Sequence, residues 1–199
     1  MRLRLGFGGR KVLAASLPAN PGPWGELAIG LEREKLAPES IGVATGVQEE
    51  LDSLVMIDST GLSRVATVLS VSSKQVRFLA PTGLAAGGAV LVATGVDGTV
   101  EYGGVEVGAV APALFEGVVK GRSVELYGTG IRGRSSLDAV RCTIDGVTVA
   151  VVYAGAQGGY PGLDQVNVEL PESFGSSGPS TVVLTVDGIA AAPFSLAIL

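Results

Sequence analysis

The residues of this chain whose type and spacing could do chemistry are few. They are the acids Glu49, Glu50 and Asp52, the acid Asp164 beside Tyr160, the single thiol of Cys142, and the run Gly128-Thr129-Gly130-Ile131-Arg132-Gly133. A glycosidase needs two carboxylates converging on one cleft. A loop-borne cluster such as Glu49-Glu50 is more often a solvated face. The chain contains no His, which removes the commonest general base, the commonest metal ligand and any Ser-His or Cys-His nucleophilic pair together. No catalytic residue is therefore expected, and the protein is read as a non-enzyme.

The glycine run matches G-x-G-x-x-G and follows a strand-like stretch, the arrangement of a dinucleotide-binding turn. That chemistry needs a helix whose N-terminus faces the pyrophosphate inside a βαβ unit. Only residues 134–139 separate the motif from the next strand, too few for a crossover helix, so the run is expected to be a turn. Calcium would need a D-x-D-x-D-G pattern or its equivalent, and the Asp-Gly pairs present are turn signals in their own right. No metal and no cofactor is implied.

Cys142 lies in Val140-Arg141-Cys142-Thr143-Ile144, where strand alternation points it inward with Val140 and Ile144 and sends Arg141 outward. A buried, unreactive thiol is expected. A single cysteine cannot form an intramolecular disulfide.

The elements that must position these residues are strands. Across 199 residues, Gly is 30, aromatics are 5% and charged residues 17%, against about 25% charged in an average globular chain. That profile suits many short strands joined by glycine turns. Alternation runs through 123–127, 147–151, 165–170 and 180–186, and Asp97-Gly98, Asp145-Gly146 and Asp187-Gly188 read as hairpin turns. Formal net charge is −5, and no basic stripe interleaves with aromatics, so nucleic acid is not an expected partner. The uncharged window 78–96 approaches the length of a bilayer span but holds Pro81 and several glycines, so no membrane-spanning helix is expected. Near the start, Arg10 and Lys11 interrupt the apolar stretch and leave only 12–19, so no clear signal peptide is read.

An internal repeat organises the chain. At one constant spacing Gln75, Val76, Pro81, Gly88, Val92, Val96, Asp97 and Gly98 fall on Gln165, Val166, Pro171, Gly178, Val182, Val186, Asp187 and Gly188. Upstream, Ile57-Asp58 meets Ile144-Asp145, Ala66 meets Ala150, and Ser40-Ile41 meets Ser123-Val124. The fold class is all-β, with two tandem immunoglobulin-like β-sandwich domains at 36–112 and 113–199. Residues 1–35 are set apart; Pro18, Pro21 and Pro23 stiffen them, and 24–35 allows a short helix or a strand. The apolar junction 110–115 is expected to bury Leu114 and Phe115 against a domain.

The most distinctive stretch is the loop 155–164 of the second copy, about six residues longer than its counterpart, with Gly155, Gly158, Gly159, Pro161 and Gly162. Tyr153, Gln157, Tyr160 and Asp164 are its candidate interaction residues. Tyr153 and Tyr160 either pack back on the sandwich, with Tyr160 capping the core and Gln165 or Asn167 bonding loop backbone, or present a stacking surface. The first arrangement is the favoured expectation.

The run 153–171 resembles the signature of an uncharacterised module that closes large secreted proteins of soil bacteria. The stretch 121–130 and the close at Val186-Asp187-Gly188 support it, and the Gly-Thr-Gly turn after the first strand is similar to that of immunoglobulin-like IPT/TIG domains. Arg77 departs from the pattern at the position matching Asn167. The resemblance implies an extracellular or cell-surface accessory module without catalytic residues. The expected function is a structural or adhesive module, a spacer or interaction domain with a protein or glycan partner; the alternative is a carbohydrate-binding module, which exposed aromatics on one sheet or loop would favour.

Overall fold

The computed structural model describes residues 4–7, 10–13, 29–47, 50–72, 75–175 and 178–198. Glu49, most of the 12–19 stretch and Pro18, Pro21 and Pro23 lie outside them. Two short strands, β1 (Arg4–Phe7) and β2 (Arg10–Leu13), pair antiparallel. The chain divides into two compact units, Met1–Gly108 and Ala109–Leu199. Among the described residues no α-helix occurs, and no helix is long and apolar enough to cross a membrane.

In the first unit, β3 (Gly30–Leu31), β5 (Ile41–Thr45), β9 (Gln75–Leu79) and β8 (Thr67–Ser72) form one sheet in that order. β4 (Lys35–Leu36), β11 (Val100–Val107), β10 (Gly87–Gly95), β6 (Leu51–Ile57) and β7 (Ser63–Val65) form the other. β4 runs parallel to β11 and every other pair in the two sheets is antiparallel. This is an immunoglobulin-like sandwich. The helix allowed over 24–35 is absent from its described part, since Gly30 pairs with Thr45 and Lys35 with Glu106. Gly30-Leu31 and Lys35-Leu36 each find an unpaired strand edge, and ladder bonds to that edge outweigh the weak helical pattern of so short a stretch.

The second unit repeats the plan. β12 (Ala113–Lys120), β13 (Ser123–Thr129), β16 (Asp164–Glu169) and β15 (Val147–Ala156) make one sheet, and β15, β14 (Val140–Ile144), β17 (Gly178–Val186), β18 (Ile189–Ala190) and β19 (Phe194–Ile198) the other. β15 belongs to both sheets: Val147–Val149 pair with β14, and residues 150–156 pair with β16. The first unit makes the same change of sheet with two strands, β7 and β8, separated by Ala66, whose N–H bonds Leu54 O at 2.8 Å. Each core is a layer of alternate inward side chains, Met56, Phe78 and Leu91 in the first unit and Leu126, Val168 and Leu184 in the second.

The repeat holds in register through β9 and β16, where Val76 and Phe78 are buried as Val166 and Val168 are. It slips elsewhere. Thr67 lies opposite Leu79 as Ala150 lies opposite Glu169, so Ala150 matches Thr67, and Ala66 is an extra residue. Ile41 lies opposite Leu79 as Ser123 lies opposite Glu169, one step away from the Ser40–Ser123 match. In β10 the equal spacing fails, because Val96 is 63% exposed whereas Val186 is fully buried. The slip enters before the strand: β10 begins at Gly87 and β17 at Gly178, one residue off the spacing that carries Val76 to Val166, so Leu91, Ala93 and Gly95 are buried where Val182, Leu184 and Val186 are. Asp187 and Gly188 both have positive φ, 48° and 78°, and close a two-residue hairpin. The first unit uses a longer loop in which Gly95 N–H bonds Thr99 O, and β10 shifts register against β6 between Thr94 and Gly95. A slip of one residue turns every side chain to the other face.

The junction belongs to the second unit, with Val110 and Ala111 buried and Leu114 packed against that unit's core. Phe115 is 43% exposed, against expectation. The ladder shifts register between Leu114 and Glu116, leaving Phe115 as the unpaired residue of a bulge.

Candidate functional site

The glycine run forms a close-packed turn. A Cβ on Gly128 would lie 2.1 Å from Ala113 O, on Gly130 2.1 Å from Ala111 O and on Gly133 2.2 Å from Ala109 O. The three glycines thus let the turn lie against alternate carbonyls of residues 109–113, and Ala111 N–H bonds Gly130 O at 2.9 Å. No helix follows; Leu137–Ala139 is one 3-10 turn. The free N–H groups that would cradle a phosphate are taken by the protein's own carboxylate. Asp164 Oδ2 accepts from Ile131 N–H at 2.7 Å and Arg132 N–H at 3.2 Å. Its Oδ1 accepts from Arg132 Nε at 2.7 Å.

Asp164 is therefore an anchor and not an interaction residue. It is fully buried, with its oxygens spent inside the fold. Arg132 Nη2 also donates to Leu163 O at 2.9 Å, and Thr129 Oγ1 donates to Gly162 O at 2.7 Å. These bonds tie the β15–β16 loop to the β13 turn. Gln157 N–H bonds Leu163 O at 2.9 Å, and Leu163 N–H bonds Tyr160 O at 3.2 Å. The Gln157 side chain turns inward on the loop, its Oε1 accepting from Gly159 N–H at 2.8 Å.

Tyr160 does not cap the core. It is 70% exposed, because the closed loop turns its tip away from the sandwich. Tyr153 is 40% exposed, and its hydroxyl donates to Ala156 O at 2.6 Å. Its place on the sheet is set by register: Tyr153 stands opposite Asn167 and Gly155 opposite Gln165 in β16, while Glu125 and Tyr127 of β13 flank Asn167 and Gln165 on the other side. Directly opposed residues share a face, and the inward neighbours Ala154, Val166 and Leu126 are buried. Tyr127, Gln165, Asn167 and Tyr153 thus line one outward face.

Hydrogen bonds preset this face. Gln165 Nε2 donates to Asn167 Oδ1 at 2.7 Å, so these amides bond each other instead of loop backbone. Tyr127 Oη donates to Glu125 Oε2 at 2.8 Å, and Lys120 Nζ donates to both Glu125 oxygens at 2.9 Å. Lys120 first, and Tyr127 second, hold the Glu125 carboxyl below its ordinary range, while the bond to Glu125 lifts the Tyr127 phenol above its own. The corresponding face of the first unit carries Val43, Thr45, Ser70 and Arg77 where the second has Glu125, Tyr127, Tyr153 and Asn167. Gln75 keeps the amide of Gln165, so Tyr127, Tyr153 and Asn167 are what is particular to the second copy.

The acids do not converge. Glu50 and Asp52 are exposed, Asp164 is sealed, and among the described residues no group of three His, Cys, Asp or Glu comes together to hold a metal. Cys142 points inward with Val140 and Ile144, and burial pushes its thiol up to about 12. Arg134, which sequence reasoning passed over, also belongs to this neighbourhood: its Nη1 would lie 3.5 Å from a Cβ on Gly155. No local pattern marks it, since its neighbour is brought by a strand some twenty residues away.

The strand order makes this an all-β protein of immunoglobulin-like sandwiches. No protein-family model and no curated protein matches the chain. Among solved structures it is similar to SGBP-B of the Bacteroides ovatus mixed-linkage glucan utilization locus, in complex with a mixed-linkage heptasaccharide, at 15% identity and a TM-score of 0.40, covering 83% of this chain and 43% of that one. Murine CEACAM1b aligns at 12% identity and a TM-score of 0.24, covering 86% of this chain and 99% of that one. A protein solved with a xylogluco-oligosaccharide aligns at 16% identity and a TM-score of 0.33, over 99% of this chain and 44% of that one. The chain thus spans less than half the length of two of these three.

Proposed function

We propose that this chain is a non-catalytic extracellular binding module whose second unit holds a glycan. The observation that carries the reading is the outward face of β13, β16 and β15, where Tyr127 and Tyr153 flank the amides of Gln165 and Asn167, with the exposed Tyr160 on the loop that joins two of those strands. Tyrosine offers a large, rigid contact surface at low entropic cost, with a hydroxyl for bonding. Amide and carboxylate side chains at fixed spacing supply the donors and acceptors that orient a polyhydroxylated ring. The anchoring of the loop by Asp164 lowers the ordering cost of binding. Secretion, and membership of the bacterial accessory module that the sequence resembles, are part of the same proposal.

A structural or adhesive role toward a protein is the second reading. It draws on the exposed apolar side chains Val65, Val68, Leu69 and Val71 along the β7–β8 edge of the first unit, an edge open to another strand. Binding of the intact chain to an array of neutral and acidic oligosaccharides, run beside its Tyr153→Ala and Tyr160→Ala variants, separates the two. The glycan reading requires bound sugars that both variants weaken. No bound sugar on the whole array moves the function to the protein partner.

A further inference from the structure

The Arg134 guanidinium lies beside this face, next to Gly155 and Tyr153. Its Nε is buried and has no hydrogen-bond partner among the described residues. Arg64, Arg122 and Arg132 each meet a carboxylate, of Asp58, Glu172 and Asp164. Buried donors are almost always satisfied; this one is sealed at the stem side of a half-buried side chain, so a ligand would meet the guanidinium at its Nη end. Gly155 gives the room in which Tyr153 and Arg134 come together. A Cβ there would lie 3.1 Å from Tyr153 Oη and 3.5 Å from Arg134 Nη1, so hydroxyl and guanidinium converge above a residue without a side chain. Tyr153 spends its proton on Ala156 O, which leaves its oxygen as an acceptor only. The register sets Gln165 directly across from Gly155 and Asn167 across from Tyr153.

A guanidinium is always charged and presents a planar fork that matches a carboxylate through two parallel bonds. We propose that Arg134, above Gly155 and beside Tyr153, receives the carboxylate of a uronic-acid residue, whose ring lies toward Tyr153 and whose hydroxyls reach the amides of Gln165 and Asn167. This rests on the glycan-binding reading and names its ligand class. The chain's formal charge of −5 opposes general attraction of polyanions, so the preference must come from this local fork and not from the overall field.

The test uses oligomers of α-1,4-galacturonate and β-1,4-mannuronate, their carboxyl-reduced neutral forms and poly-glutamate, titrated calorimetrically into the intact chain. At least one uronate oligomer should bind about tenfold more tightly than its reduced form. Arg134→Gln should abolish that preference and bring the two forms level, while Arg134→Lys, which keeps the charge without the fork, restores part of it. Thermal unfolding of both variants reports that the second unit still folds. Equal affinity for a reduced oligomer, lost in Tyr153→Ala, would overturn the uronate assignment and leave glycan binding standing. Poly-glutamate binding as tightly as the uronates would overturn the sugar class. No binding of any oligosaccharide overturns both.

Discussion

Arg132 reaches back across the β13 turn to place Nε 2.7 Å from Asp164 Oδ1, while its own N–H and that of Ile131 close on Oδ2. One buried carboxylate thus ties the C-terminal end of the segment that presents Tyr160 to the β13 turn. Asp164→Asn keeps the shape, replaces an acceptor by a donor facing N–H groups and leaves Arg132 without its counter-charge. Removing one partner of a buried pair costs about 3–5 kcal/mol. The expected outcome is a large drop in the melting temperature of the second unit with the first unit's transition unmoved, read by calorimetry.

Asp58 predicts a pH dependence in the first unit. Its carboxylate accepts from the Thr60 hydroxyl at 2.6 Å, from the N–H groups of Thr60, Leu62 and Ala85, and from Arg64 Nη1 at 2.6 Å. The Thr60 hydroxyl first, with those backbone donors and against the effect of burial, holds its pKa well below the usual carboxylate range. The unfolded chain takes up the proton near pH 4, before the folded one does. The stability this group adds is therefore present above about pH 4 and is lost as pH falls below it. Denaturant midpoints of the first unit should decline below that pH, and Asp58→Asn should lower stability at neutral pH and flatten the decline.

Cys142 predicts the opposite slope at alkaline pH. Its folded pKa is raised to about 12, so the unfolded thiol, near 8.5, ionises first. The second unit should lose stability as pH rises above about 8.5, and Cys142→Ala should remove that part of the loss. Native protein should resist a thiol reagent at pH 8 and react on unfolding; rapid native labelling contradicts the burial.

Gly42 and Phe78 predict a compensating pair. Opposed in register, they are so close that a Cβ on Gly42 would meet Phe78 Cζ at 2.4 Å, whereas the matching pair in the second unit is Val124 and Val168. Gly42→Val alone overpacks the core and should cost about 1–3 kcal/mol. Phe78→Val alone leaves a cavity. The double variant should be more stable than the sum of the single losses allows, read as a coupling energy in a double-mutant cycle.

Much of the fold was legible because it is local. Alternation in 123–127 and 165–170, and the Asp145-Gly146 and Asp187-Gly188 turns, specify strands and hairpins from neighbouring residues alone. The inward thiol of Cys142 followed from the same period. What was not legible depends on distant partners. Asp164 looks like an exposed loop acid until Arg132 arrives beside it, and Tyr160 looks like a core cap until the loop closes on its own backbone. The register slip that exposes Val96 enters before β10 begins at Gly87, and the shared Asp-Gly pair conceals it. Arg134 needed Gly155, and Gly155 needed the β15–β16 register, before either could be seen as part of a site.

The most direct test of the account is the chemical-shift map of the isotope-labelled chain titrated with the tightest-binding oligosaccharide of the array. The account predicts that the amides that shift lie in β13, β15 and β16 and in the loop around Tyr160, with the Gln165 and Asn167 side-chain amides among them, and that Tyr153→Ala removes the response. Shifts confined to the β14–β17 sheet or to the first unit would contradict it.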